Sequence, residues 1–295
     1  MRIRYGIPVL AVVAALALSG CVNNSSPTTP QATVTAGPVD AAAVALLPAS
    51  IKSSKVIQVG VDATYPPDEF KDASGQAVGW DIDLFDAVAA KLGVKATFNI
   101  AGFDSIIPAI TGGKYDAGVS SFTDNTDREK KVDFVNYYSA GILWASGAAK
   151  TVDPNNACGL KVAVETGTVE DLSDIPDKSK ACVAAGKKAI QVLRFDGQDQ
   201  ATNAVVLGQA DAMSADSPIT GDAIKQSGGK LQAAGTVFGV APYGIAVNKG
   251  SSLTKAIQKA FQDIVDNGTY TKILTKWGVN DGALSTITIN AAANG

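Results

Sequence analysis

The sequence contains no histidine at all, only 3 cysteines, and an aromatic content of 6%. Without imidazole there is no Ser-His-Asp or Cys-His catalysis and none of the common zinc sites that depend on it. Charge is sparse as well, with 25 basic residues against 28 acidic ones and a formal charge of −3. No basic footprint of the kind nucleic acid requires is present. Long apolar runs are also missing: the longest, from Ile7 to Leu18, is too short to span a bilayer as a helix.

What is present starts with that run. Arg2 and Arg4 precede it, and basic residues before a short apolar core make a secretory signal, not a membrane anchor. It ends in Leu18-Ser19-Gly20-Cys21, which resembles a bacterial lipobox. The resemblance implies cleavage before Cys21 and a diacylglycerol on its sulfur, although an ordinary signal peptide cut nearby would read similarly. Residues 1–20 are thus expected to be a signal peptide and residues 21–52 a lipidated, flexible tether. The segment is rich in Ser, Thr, Pro, Ala and Asn and lacks sustained apolar periodicity, so it buries too little surface to offset ordering. Such a tether reaches roughly 30 Å. Losing Arg2 and Arg4 leaves 23 basic against 28 acidic residues, a formal charge of −5.

Apart from Cys21, the cysteines are Cys158 and Cys182, an isolated pair in an exported chain, where a disulfide is expected. Free or metal-binding thiols are the alternative. They would lack histidine or further cysteines as partners.

Beyond the linker the pattern is α/β. Val56–Val61, Lys95–Ile100 and Asp116–Ser120 read as strands, with helices over Asp83–Leu92 and Asp104–Thr111. That rhythm favours a mainly parallel sheet. A second unit follows, with strands at Lys161–Glu165, Gln191–Phe195 and Ala210–Ser214 and helices at Gln198–Leu207 and Pro218–Gln226. Two amphipathic stripes close the chain: Leu253, Ile257, Phe261 and Ile264, then Tyr270, Ile273, Leu274 and Trp277.

Particular residues then carry a likeness. Gly60-Val61-Asp62-Ala63-Thr64-Tyr65-Pro66-Pro67-Asp68-Glu69-Phe70, with Val78-Gly79-Trp80-Asp81-Ile82-Asp83-Leu84, resembles the opening of family 3 extracellular solute-binding proteins, the polar amino acid receptors of ABC importers. Phe103 to Ala109, Gly113 to Ala117, Ser120 to Thr123 with Arg128, Val132 to Phe134, Gly167-Thr168, Ala210 to Pro218, Pro242 to Val247 and Asp266 to Gly278 agree in order. The resemblance implies a two-lobed, type II periplasmic-binding-protein-like fold with two hinge-crossing segments, placed near Ala140 to Ser146 and Thr236 to Tyr243. Residues 53–142 and 241–295 would form lobe 1, and residues 143–240 lobe 2.

The same resemblance assigns a ligand site. Arg128 would take an α-carboxylate with its two parallel donors, although by sequence alone it reads as a surface residue. Ser121 and Thr123, with backbone N–H groups near Thr168, would complete a carboxylate cage, and Ser120 belongs to the same ligand site. Asp216 would take the α-ammonium; its other reading is an N-cap, since Asp-Ser-Pro also starts helices. Tyr65 and Phe103 would sandwich the side chain, unless they are core residues. Asp62 and Glu170 would face the ligand side chain and repel an acidic one, which points to a basic or amide amino acid. Asp68 departs from the family pattern and is expected either to wall the pocket or to face solvent.

The expected function is binding, with no cofactor, as a monomer anchored at the outer face of the cytoplasmic membrane beside an ABC permease. Two alternatives share the fold. One is a cyclohexadienyl dehydratase-like enzyme using Glu170 or Asp62 as acid or base; the other is a ligand-sensing domain of a signalling receptor.

Overall fold

A computed structural model describes residues 36–292 of the chain, so Cys21 and the signal segment lie outside the described residues. The first elements are two short helices, α1 (Ala41–Leu46) and α2 (Ala49–Ser54). Asp40 caps α1 by accepting from Ala42 N at 2.7 Å, and its other oxygen lies 2.9 Å from Lys259 Nζ. Ala43, Leu47 and Ile51 recur every four residues and are buried in the main core. The expected tether, residues 21–52, therefore overlaps α1 and the start of α2, which pack on the main core. Alanine is the strongest helix former, and a three-residue stripe in an alanine-rich segment is easily mistaken for low-complexity linker.

Strand β1 (Val56–Val61) leads into a small antiparallel sheet of β2 (Thr64–Tyr65), β3 (Glu69–Lys71) and β4 (Ala77–Val78). Helix α3 (Trp80–Lys91) follows at once. Its entry depends on Gly79, at φ 141°, where a Cβ would stand 1.9 Å from the Asp68 carbonyl oxygen. Only glycine lets α3 start that close to β3. Then come β5 (Lys95–Ile100), α4 (Phe103–Thr111), β6 (Ala117–Gly118) and the single-turn α5 (Thr126–Glu129). Strand β6 is shorter than the expected Asp116–Ser120, because Ser121 turns the backbone into the left-handed region at φ 46°.

Two long strands link the lobes, β7 (Val132–Gly147) and β11 (Leu231–Asn248), and between them in the chain lie β8 (Lys161–Glu165), β9 (Gln191–Phe195) and β10 (Ala212–Asp216). They pair antiparallel in both lobes, and their register is broken between Ala234 and Ala241, where the chain crosses. The continuous sheet runs β5-β1-β6-β11-β7-β10-β8-β9. Lobe 2 adds α6 (Ile175–Ala184), α7 (Gln198–Val206) and α8 (Ser217–Gln226). The chain ends with α9 (Ser252–Asp266), α10 (Thr269–Trp277) and β12 (Ala283–Ile289), which pairs with β7.

Each lobe has a core on both sheet faces. In lobe 1, Leu84, Phe85, Phe261 and Leu274 fill one face and Ile106, Ile110 and Phe134 the other. In lobe 2, Trp144, Val162 and Val164 point one way while Ala145, Ala163 and Met213 point the other. Burial on both faces is what parallel strands require. Cys158, before β8, is bonded to Cys182 of α6, with Cα atoms 5.5 Å apart.

Candidate functional site

Strands β1, β6, β8 and β10 end at the crevice between the lobes, the place where open α/β sheets put their ligand sites. A small, nearly filled cavity there is lined by Asp62, Tyr65, Phe103, Ser120, Ser121, Thr123, Arg128, Thr168, Glu170 and Asp216, together with Glu165 and Val169. All ten residues expected from sequence are thus brought together.

Arg128 is fixed before anything else can meet it. Asn125 caps α5 by accepting from Arg128 N at 2.9 Å. The guanidinium then donates through Nη1 to the Thr123 carbonyl at 2.8 Å and through Nη2 to the Gly167 carbonyl of lobe 2 at 3.1 Å. Its carbon lies 5.3 Å from the Phe103 ring and 5.7 Å from that of Phe122, and those two rings stack 4.7 Å apart. Aromatic faces favour a guanidinium and leave its remaining N–H groups free to aim at an anion.

Asp216 stands opposite, on lobe 2. It occupies the N-cap position of α8, but its side chain makes no capping bond there. Its Oδ2 instead accepts from Tyr65 Oη at 3.1 Å, and its N–H donates to the same phenolic oxygen at 3.2 Å. Burial raises its carboxyl to about 6, against the pull of Tyr243, Tyr65 and Arg128.

The serines differ from expectation in what their hydroxyls hold. Ser120 Oγ accepts from Asp62 N at 3.0 Å and lies 3.3 Å from Glu69 Oε1. Ser121 Oγ lies 3.0 Å from Asp68 Oδ2 and 3.1 Å from Glu69 Oε2, while its N–H donates to Asp81 Oδ2 at 3.3 Å. These hydroxyls are already bonded to a buried acidic group beneath the cavity. Thr123 contributes its carbonyl to Arg128. The backbone turn at Ser121 decides this orientation, and strand periodicity carries no trace of it.

Asp68 neither walls the pocket nor faces solvent. It is fully buried, with Trp80 Nε1 donating to it at 2.6 Å. Glu69 and Asp81 are buried beside it. The Ser121 hydroxyl has one proton for its contacts with Asp68 and Glu69, so the second contact needs a proton on a carboxyl. Burial raises all three, Asp81 to about 7. Among the described residues no group of His, Cys, Asp or Glu is arranged to hold a metal ion.

Glu165 was missed by sequence reasoning, although its strand was read correctly. Its position as the last residue of β8, at the carboxyl end of a parallel strand, was the available signal. It is 1% exposed, and burial, then Asp62 and Glu170, push its carboxyl well up. Burial and Asp216 bring Glu170 to about 8.

A two-lobed α/β protein with an ionic cavity at its hinge is, as a class, a binding protein that closes on a small polar solute. Residues 57–280 match the bacterial extracellular solute-binding proteins, family 3, and the chain belongs to that family. It is 36% identical over 282 residues to the arginine-binding protein ArgT of Corynebacterium glutamicum, covering 95% of this chain and 93% of that one. Among solved structures it is similar to an ancestral arginine-binding protein bound to arginine, with a TM-score of 0.69 and 36% identity. That alignment covers 76% of this chain and 98% of the other. An ancestral arginine-binding protein bound to glutamine matches with the same TM-score and coverage at 37% identity.

Proposed function

We propose that this protein captures a free amino acid with a cationic or amide side chain outside the cytoplasm and delivers it to an ABC import permease by closing its lobes. The observation that carries this reading is the pairing of Arg128 and Asp216 in one interlobe cavity. An α-carboxylate suits the guanidinium, an α-ammonium suits the carboxylate, and the excess of carboxyl groups disfavours an acidic side chain. The similar proteins, an arginine-binding protein and ancestral structures bound to arginine and to glutamine, support the same class of ligand.

Ligand then stabilises the closed form that a permease recognises. The protein acts as a monomer held to the membrane by lipid on Cys21, a reading supported by the likeness of Leu18-Ser19-Gly20-Cys21 to a lipobox. A thermal-shift screen against the proteinogenic amino acids, ornithine and citrulline tests the reading. A ligand at a hundredfold excess over Kd adds about 2.7 kcal/mol to stability. Shifts with arginine, lysine, ornithine or glutamine are expected, and a shift with no amino acid would refute the proposal.

A further inference from the structure

Two carboxyl groups meet across the cleft. Asp62 follows β1 in lobe 1 and is 3% exposed; Glu165 ends β8 in lobe 2 and is 1% exposed. Thr64 Oγ1 stands between them, donating to Asp62 Oδ1 at 2.6 Å and lying 3.5 Å from Glu165 Oε1. That hydroxyl has one proton, and the short contact directs it to Asp62. The other Asp62 oxygen accepts from Phe103 N at 3.0 Å. Among the described residues Glu165 keeps only the long Thr64 contact and its approach to the Asp62 carboxyl.

A second, independent feature points the same way. Glu170 lines the same cavity, is 1% exposed, and its Oε1 has no hydrogen-bond partner among the described residues. Around the pair stand further acids: Asp199 at the start of α7, Glu69 below, Glu170 and Asp216. Tyr65 is the neutral titratable neighbour. Arg128 is the cation in the cavity lining, and it faces Glu170 and Asp216 while holding the carbonyls of Thr123 and Gly167. Facing carboxylates buried together are costly unless a positive charge or a proton lies between them.

We infer that Asp62 and Glu165 form a split cation receptacle, half on each lobe, which closes only around a positive charge. That charge is the guanidinium or ammonium of a ligand side chain or, for a neutral ligand, a proton taken from solvent. The inference rests on the amino acid reading and adds its selectivity mechanism. Opened to water, both carboxyls would return toward the ordinary carboxylate range and ionise near neutrality. Closing over an amide side chain therefore takes up a proton, so amide affinity rises as pH falls. Closing over a guanidinium does not need that proton. Burial raises both Asp62 and Glu165, in keeping with this sign. One linked proton changes an affinity by up to about tenfold per pH unit.

The test is calorimetric titration of the whole protein with L-arginine and L-glutamine at about pH 8 and about pH 6, using wild type, Glu165→Gln and Asp62→Asn. The arginine-to-glutamine affinity ratio of wild type should fall about tenfold or more on acidification. In Glu165→Gln it should be at least tenfold lower at the higher pH and flat with pH, with Asp62→Asn moving in the same direction. Glutamine binding too weak to measure in wild type sets a lower bound on the ratio, and Glu165→Gln should then bring it into range. A ratio unmoved by either substitution, or by pH in wild type, overturns the receptacle while leaving amino acid capture standing. Loss of both ligands in Glu165→Gln with circular dichroism unchanged also overturns it. Absence of binding to any amino acid in wild type removes the parent reading as well.

Discussion

Tyr65 Oη of lobe 1 lies 3.1 Å from Asp216 Oδ2 and 3.2 Å from Asp216 N of lobe 2. One phenol therefore serves as both donor and acceptor across the cleft, beside the carboxylate assigned to the ligand ammonium. Tyr65→Phe leaves both Asp216 groups short of a partner in the closed form, at about 1–3 kcal/mol. Ligand release should quicken by about tenfold, with association little changed. Stopped-flow measurement checks this, and an unchanged release rate would show that the contact does not hold the lobes.

The buried group of Asp68, Glu69 and Asp81 makes stability depend on pH. A carboxyl whose folded pKa exceeds its unfolded one contributes stability that is full below the unfolded value and is lost as pH rises through the folded value. For Asp81 that window runs from 3.8 to about 7, with burial as its cause. Asp68 is raised too, by burial and by Asp81. Asp68→Asn removes one ionisable member yet can still accept from Trp80. The variant should gain in melting temperature relative to wild type as pH rises from about 5 to about 8. Calorimetry giving the same difference at both values would contradict this.

Cys158 and Cys182, 24 residues apart, close a loop entirely within lobe 2 and away from the cavity lining. Replacing both with serine should lower stability by about 3 kcal/mol, as loop-closure entropy predicts. Ligand affinity should stay within about threefold of wild type. Denaturant unfolding and titration of the double variant measure both quantities.

Local pattern was legible where burial follows a simple period. Val56–Val61, Lys161–Glu165 and Gln191–Phe195 occupy the stretches read from sequence. Strand β10 lies two residues later than expected, since Ala210-Asp211 still belongs to the turn after α7. Helix α6 was not read because only Ile175 and Cys182 of its residues are buried, and β12 because its burial comes from edge pairing with β7. The site residues were legible as an ordered set of motifs. Their contacts were not, because the turn at Ser121, the burial of Asp68 and the approach of Glu165 to Asp62 all depend on elements distant in sequence.

The central claim is that Arg128 anchors the carboxylate of a captured amino acid. Removing one partner of a desolvated, hydrogen-bonded charge pair costs roughly 2–5 kcal/mol, or about 30- to 5,000-fold in affinity. Calorimetric titration of Arg128→Ala with L-arginine, with circular dichroism as the check on folding, measures this directly. A loss in that range with an intact fold is the predicted result; wild-type affinity in the folded variant would contradict the account.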